Sequence, residues 1–193
     1  MSKKIFCTQS STPPVIIHFF PFHHGDKADQ RGASVDNQTR HHRPQQSTTP
    51  TSASSAIVAT IGNFDGFHRG HQFVIDRLET TARARGLPAW LITFDPHPRL
   101  LFDNNLNNFV ITDRNEKITA ARQYGLDGVA VIDFDHALAS LSAETFVRDI
   151  LKTQLQVDTL LLGEDFRFGR DRGGNIETLR QHGIDHVIPL PLQ

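Results

Sequence analysis

The sequence feature that most constrains this chain is the stretch AIVATIGNFDGFHRGH, which covers residues 56–71. Residues 56–61 are apolar and partly β-branched, which is typical of a buried strand. Gly62 ends this run, a tight turn follows, and a helical pattern opens at Gly70. A strand that enters a helix through such a turn leaves unpaired helix N-terminal amides at the mouth of the turn, where phosphate binds well.

Two histidines stand at the start of this helix. His68 and His71 are three residues apart, so their imidazoles can face the same phosphate group. Gly70 lies between them and has no side chain that would block close approach of a ligand. The pattern indicates a phosphate site, although the spacing alone is also that of two ordinary surface histidines.

Length and composition limit the class of protein. A chain of 193 residues predicts one domain of ordinary size, and its net charge of −1 provides no basic surface for a nucleic acid. Cys7 is the only cysteine, which excludes intrachain disulfides and multi-thiolate metal sites. No apolar run approaches the roughly 18 residues of a membrane span. We therefore expect a cytoplasmic protein with neither a membrane nor a nucleic-acid partner.

The first 55 residues differ in composition from the remainder. Their second half is rich in Ser, Thr, Gln, His and Pro, as in HHRPQQSTTPTSASS, and cannot bury enough apolar surface to offset the entropy of ordering. An apolar patch at residues 15–22 is too interrupted to serve as a signal peptide. The composition predicts a disordered low-complexity extension over residues 1–55 and a folded domain over residues 56–193.

Apolar runs and helical patterns alternate through the folded part. Thr112 is the predicted N-cap of the second helix. The regular alternation predicts an α/β fold with a doubly wound parallel sheet. The predicted strands cover residues 56–61, 89–94, 128–134 and 157–162 and a fifth that starts at 187, and the intervening helices start near residues 70, 112, 142 and 176.

Two loops after predicted strands carry further chemistry. The run Asp95-Pro96-His97-Pro98 is stiffened by its prolines and lies at a strand's carboxyl end, where open α/β sheets bind ligands. A rigid turn with an incidental histidine fits the same spacing.

The second loop, GEDFRFGRDRGGN at residues 163–175, contains three arginines that can neutralise phosphate and glycines that can allow closure over a ligand. A solvated charged loop has the same composition. The arginines are Arg167, Arg170 and Arg172.

Five blocks in order, between residues 60 and 175, resemble one known family. They read TIGNFDGFHRGHQ, TFDPHP, ITDRNEK, FDHALASLSAETFV and LLGEDFRFGRDRGGN. The chain looks like the FAD synthetase (FMN adenylyltransferase) domain of the bacterial bifunctional riboflavin kinase/FAD synthetase family. The resemblance implies a Rossmann-like fold of the HxGH nucleotidylyltransferase type. It also implies that the phosphate of FMN attacks the α-phosphorus of ATP, giving FAD and pyrophosphate.

The resemblance also implies roles for individual residues. His68 and His71 would be catalytic and would bind the phosphates of ATP. Magnesium would be held mainly by those phosphates, and no protein residue is assigned as a metal ligand. The implied ATP-binding residues are Gly62, Asn63, Phe64, Asp65 and Gly70, and the implied flavin-binding residues are Pro96, His97, Pro98, Asp165 and Phe166.

The sequence departs from this family at its end. Family members carry a Ser/Thr-rich segment that ends in an arginine after the fifth strand, and then a riboflavin kinase domain, whereas this sequence stops at Gln193. One alternative is therefore a weakened or inactive flavin- or nucleotide-binding fragment. Another is a nucleotidylyltransferase that acts on a pantetheine or glycerol phosphate, although the TFDPHP and GEDFRFG blocks argue against it.

Overall fold

The computed structural model describes residues 3–5, 15–22, 56–102 and 111–191. The strands are β1 (Lys3–Ile5), β2 (Ile17–Pro21), β3 (Ile57–Ile61), β4 (Ala89–Asp95), β5 (Gly128–Asp133), β6 (Val157–Gly163) and β7 (His186–Leu190). The helices are α1 (Arg69–Arg85), α2 (Pro98–Phe102), α3 (Arg114–Gln123), α4 (His136–Ala139), α5 (Ala143–Thr145) and α6 (Ile176–Gln181). A π-helix (Phe146–Gln154) continues α5, and a 3-10 turn (Arg170–Arg172) precedes α6.

The described strands form one sheet in the order β1-β2-β5-β4-β3-β6-β7. The pairs from β5 to β7 are all parallel, which confirms the α/β fold with a doubly wound parallel sheet. The chain adds β4 and β5 on one side of β3 and then returns to add β6 and β7 on the other. The carboxyl ends of β3 and β6 therefore flank the topological switch point, where sheets of this kind bind ligands.

Alternate residues of the strands face two separate cores. On β3, Val58 packs with Ile75 and Leu78 of α1, while Ala59 packs on the other face with Ile150 of the π-helix. The spacing of buried residues along α1 follows the predicted helical pattern, and Gly86 ends the helix with a φ of 63°. Helices cover both faces of the sheet. Functional groups can therefore gather only where the strands end.

The prediction that ordered structure begins at Ala56 is wrong for residues 3–5 and 15–22. Residues 3–5 form β1, which pairs antiparallel with β2. Residues 17–21 form β2, which pairs antiparallel with β5, and the Ile17 side chain is fully buried. His18 contributes a 3.1 Å contact from its Nε2 to Asp133 Oδ2. The strand owes its order to this pairing rather than to local sequence pattern, which is why composition did not reveal it. Residues 1–2, 6–14 and 23–55 of the predicted extension lie outside the described residues, as does the surface loop predicted at 103–108.

The structure also changes one predicted helix start and makes part of a predicted loop helical. Asp113, not Thr112, caps α3: its carboxylate accepts the Glu116 N–H at 2.8 Å, and the Glu116 carboxylate accepts the Asp113 N–H at 2.7 Å. Pro98 begins α2 instead of prolonging a loop, because the first helical position needs no N–H donor. None of the described helices is long and apolar enough to cross a membrane.

Candidate active site

The turn between β3 and α1 holds two aromatic residues in the left-handed backbone region. Phe64 has a φ of 47° and Phe67 a φ of 40°, although neither is glycine. Both side chains are buried in the core beside α1, and their packing compensates for the unfavourable backbone. Strain of this kind concentrates at functional sites, and here it shapes the turn that carries the predicted phosphate-binding residues.

Hydrogen bonds tie this turn to the neighbouring strand β4. The Gly62 N–H donates to the Ile92 carbonyl at 3.1 Å, and the Thr93 hydroxyl donates to the Asn63 carbonyl at 3.0 Å. Thr93 is itself fully buried. Gly62 and Asn63, two of the predicted ATP-binding residues, are therefore fixed at the carboxyl end of β3.

Asp65 holds the turn to the segment that leads into α3. One of its carboxylate oxygens accepts the Ile111 N–H at 2.9 Å and the Thr112 N–H at 2.8 Å. Partial burial would raise the pKa of Asp65, but these backbone hydrogen bonds and the cation of Lys117 outweigh it and hold the pKa below its usual range. The predicted ATP-binding aspartate therefore stays ionised and serves as a clamp within the protein.

The two histidines lie side by side at the start of α1. Their ring planes are 25° apart and their ring centroids 3.8 Å apart, so both imidazoles belong to one surface as the spacing predicts. His68 is the N-cap of α1, and Gly70 lies in the first turn. His71 also packs against Phe64, with ring centroids 4.8 Å apart, and this contact helps to fix the position of the imidazole ring.

His71 is neutral at physiological pH. Burial, followed by the neighbouring His68 and Lys117, lowers its pKa to about 4, and Asp65 partly opposes them. Its Nδ1 atom is buried without a hydrogen-bond partner among the described residues. A buried acceptor without a partner is more tolerable than a buried N–H without one, so we infer that the proton resides on Nε2. From Nε2, the ring can donate to an anion.

The loop after β4 is built around His97, whose side chain is only 7% exposed. Its Nδ1 accepts the Arg99 N–H at 3.2 Å, which satisfies a free donor at the start of α2. Burial and then the charge of Lys117 lower its pKa below the usual range. His97 therefore shapes the loop from inside, while Pro96 is exposed and Pro98 faces a cavity.

That cavity has a volume of about 810 Å³ and opens beside the phosphate turn. Six phenylalanines and four arginines are among the residues that line it. Of the predicted site residues, Gly62, Asn63, Pro98, Asp165 and Phe166 line it, whereas the two histidines, Pro96 and His97 do not. The aromatic lining comprises Phe94, Phe102, Phe134, Phe146, Phe166 and Phe168, and the cations are Arg99, Arg167, Arg170 and Arg172.

The loop after β6 is anchored to the protein. Phe168 and Gly174 exchange backbone hydrogen bonds at 3.2 and 2.9 Å, and the Arg170 N–H donates to the Leu141 carbonyl at 2.7 Å. Gly169 has a φ of 71°, and a Cβ at this position would lie 2.7 Å from the Ala143 nitrogen. Gly169 therefore permits close packing of this loop against α5, and closure of the loop over a ligand stays a prediction.

The sequence did not single out two basic residues of α3. Arg114 bridges Asp95 at 2.7 Å and Asp133 at 2.9 Å, which joins the carboxyl ends of β4 and β5. Lys117 is buried beneath the helix. A sequence signal exists for Lys117: it lies four residues before the buried Ala121, on the face of α3 that packs against the sheet.

The aromatic lining was also missed, because Phe94, Phe102, Phe134 and Phe146 come from four separate segments. Phe94 and Phe134 pack edge to face with ring centroids 5.6 Å apart, and Phe102 meets Phe134 at 6.4 Å. Each reads locally as an ordinary core residue, and only the fold brings them to one wall.

Comparison with known proteins agrees with this geometry. The chain is 38% identical over 133 residues to the bifunctional riboflavin kinase/FMN adenylyltransferase of Escherichia coli (strain K12), an alignment that covers 69% of this chain and 42% of the relative. It is 41% identical over 128 residues to the protein of the same name from Pseudomonas fluorescens, covering 66% of this chain and 41% of that one. The chain thus spans about two fifths of the length of these relatives.

A solved structure shows a similar fold. The crystal structure titled macrolide-efflux protein from Streptococcus pneumoniae superposes with a TM-score of 0.63 at 25% sequence identity, over 72% of this chain and 47% of that one. The family model described as FAD synthetase matches residues 50–190, which is most of the chain. This chain belongs to the FAD synthetase family.

Proposed function

We propose that the protein is an FMN adenylyltransferase. A phosphate oxygen of FMN attacks the α-phosphorus of ATP, a new P–O bond forms, the bond between the α-phosphorus and the bridging oxygen breaks, and pyrophosphate leaves. The observation that carries the proposal is the stacked pair His68 and His71 beside an aromatic, arginine-rimmed cavity at the switch point of the sheet. The names of the relatives support the same reaction.

The start of α1 suits the triphosphate. Within the described part of the chain, His68 caps the helix without a side-chain hydrogen bond, and the first turn carries no acidic residue. The first backbone N–H groups can therefore donate to phosphate oxygens, and the helix dipole favours the negative charge. A neutral His71 adds a donor whose strength grows as charge develops on the leaving pyrophosphate.

The cavity suits a flavin phosphate. Six phenylalanines provide apolar walls for a planar ring system, and the volume of about 810 Å³ lies within the range of small-molecule pockets. The arginines at its rim supply charge-assisted hydrogen bonds for a phosphate. Because Gly62 and Asn63 line the cavity, a phosphate bound beside them would lie next to the turn that carries the histidines.

The chemistry requires little covalent help from the protein. Positioning two anionic substrates and neutralising their charge supplies the main acceleration in such a transfer. We expect magnesium to enter with ATP and to be held mainly by its phosphates. We further expect a cytoplasmic enzyme with small-molecule substrates and no nucleic-acid partner, given its net charge of −1.

The test is to incubate the protein with FMN, ATP and magnesium and to measure the FAD formed by chromatography. The His71→Ala variant should lose about 100-fold or more in turnover, as do enzymes that lose a charge-stabilising donor. His186→Ala, at an exposed position of β7, is the matched control and should keep full turnover. Equal turnover of the two variants, or a folded wild-type protein that binds ATP and FMN without making FAD, would contradict the proposal.

A further inference from the structure

Lys117 is a buried cation that the proposed chemistry does not use. Its side chain is 2% exposed, and it is the only buried lysine among the described residues. The Nζ atom donates to the Phe94 carbonyl, near the end of β4, at 3.3 Å. Because burying an ammonium group costs free energy, its retention calls for compensating charges nearby.

Those charges come from the turn after β3 and from the end of β4. Asp65, in the turn after β3, and Asp95, at the end of β4, both stabilise the ammonium, against the effect of burial, which lowers the pKa of Lys117. His71 in α1 and His97 before α2 each experience Lys117 as a repelling charge when they are protonated.

Three further titratable groups belong to this environment. His68 repels a proton on His71, and Arg99 repels one on His97. Arg114, one turn before Lys117 on α3, pairs with Asp95 at 2.7 Å. The side chains around the ammonium thus come from the phosphate turn, α1, β4, the loop before α2 and α3 itself.

Lys117 lies between the turn proposed to hold ATP and the loop that leads into the cavity proposed for FMN. Asp65 fixes the turn proposed to hold ATP, and His97 fixes the loop that leads Pro98 into the cavity proposed for FMN. The Lys117 ammonium attracts the Asp65 carboxylate and disfavours a proton on His97. A displacement of about 1 Å between two reacting groups can cost about 100-fold in rate, so the relation of these halves matters for transfer.

We propose that Lys117 is a positioning residue, whose buried charge and hydrogen bond to the Phe94 carbonyl hold the phosphate turn against the end of β4 and the loop that follows it. It need not touch either substrate. This inference rests on the proposed adenylyl transfer for its kinetic effect, but its effect on the histidines is independent of the reaction.

A purely structural lysine would behave differently on substitution. Methionine has a similar length and no charge. Removing one member of a buried ion pair destabilises a protein when it leaves the partner's charge unpaired. Asp65 would keep its backbone N–H donors and Asp95 would keep Arg114, so neither carboxylate would be left unpaired. Lys117→Met should therefore fold, and any loss of turnover can be separated from a loss of structure.

The experiment compares the whole chain with its Lys117→Met, Lys117→Arg and Lys152→Met variants. Lys152 is an exposed lysine of the π-helix and provides the same substitution as a control. Three quantities are measured: the thermal unfolding midpoint, kcat and KM for FMN and ATP, and the titration of the histidine rings by NMR. The ring titration needs neither substrate, so it remains informative if the wild-type protein makes no FAD.

We expect Lys117→Met to retain its fold, to lose about 100-fold in kcat with a smaller change in either KM, and to raise the pKa of His71. Lys117→Arg should keep the His71 titration of the wild type and recover most of the turnover. The assignment would be overturned if Lys117→Met had the same turnover per folded molecule and the same His71 titration as Lys152→Met. If Lys117→Met does not fold, Lys117→Arg decides: an unchanged His71 titration with full turnover supports the role of the charge, and the same titration with lost turnover refutes it.

Discussion

The imidazole rings of His68 and His71 lie stacked with centroids 3.8 Å apart, above a buried Phe64 whose backbone is in the left-handed region. One ring is exposed and the other is partly buried. The two histidines of the HxGH pattern therefore differ in environment even though they share a surface. The partly buried ring, with its depressed pKa, makes the protein sensitive to acid.

We predict that stability falls as the pH drops from about 6.5 toward 4. The pKa of His71 is about 4 in the folded chain and near 6.5 when unfolded, so in this window the unfolded chain binds the additional proton. The stabilisation is fully present above pH 6.5 and is lost as the pH falls through the folded pKa. Its size is on the order of 1 kcal/mol, because solvent screens the partly exposed ring.

Urea unfolding at pH 7.5 and pH 4.5 measures this loss. His71→Asn should show a smaller difference between the two pH values than the wild type, while His186→Asn, at an exposed site, should match the wild type. An identical pH dependence in the wild type and His71→Asn would mean that His71 does not carry the effect.

A second prediction concerns the clamp at Asp65. Asp65→Ala leaves the N–H groups of Ile111 and Thr112 without their acceptor, which should lower the free energy of unfolding by roughly 1–3 kcal/mol and raise the KM for ATP. Asp76→Ala, at an exposed position of α1, should change neither. Urea unfolding and initial rates at varied ATP check both effects, and an unchanged KM for ATP would separate the clamp from the nucleotide site.

A third prediction uses two glycines of the loop after β6. Gly169→Ala forces a Cβ to within 2.7 Å of the Ala143 nitrogen at a φ of 71°, so the loop must shift and the KM for FMN should rise. Gly173→Ala, where the nearest atom is the Arg170 carbonyl oxygen at 3.4 Å, should be tolerated. Equal KM values for FMN in the two variants would contradict this prediction.

A fourth prediction tests β2 as part of the folded domain. Ile17→Ala removes a fully buried side chain and should lower the free energy of unfolding by about 2–5 kcal/mol. Ile111→Ala, at a side chain that is 77% exposed, should stay within about 0.5 kcal/mol of the wild type. Similar unfolding curves for both variants would show that the N-terminal strand contributes nothing to stability.

The sequence predicted the features that have a local pattern. The apolar runs at β3 through β7, the helical face of α1 and the spacing of His68 and His71 follow from strand and helix periodicity. The strand β2 did not, because His18 and Pro21 interrupt its apolar pattern and its order depends on pairing with β5, more than 100 residues later in the chain.

The cavity shows the same limit. Gly62 and Asn63 could be placed from the turn sequence, but Phe94 and Phe134 line the cavity with them only because the sheet brings the ends of β3, β4 and β5 together. Each of these residues has an ordinary local environment in the sequence. Their relation is a property of tertiary packing, which residue spacing cannot express.

The most direct test of adenylyl transfer is phosphorus NMR of the wild-type chain with FMN, ATP and magnesium. We predict that the phosphate signal of FMN disappears while the two phosphate signals of FAD and the signal of pyrophosphate appear, with the combined area of the two FAD signals equal to that of the pyrophosphate signal. Formation of ADP or AMP with FMN unchanged, or unchanged spectra with folded protein, would contradict the account.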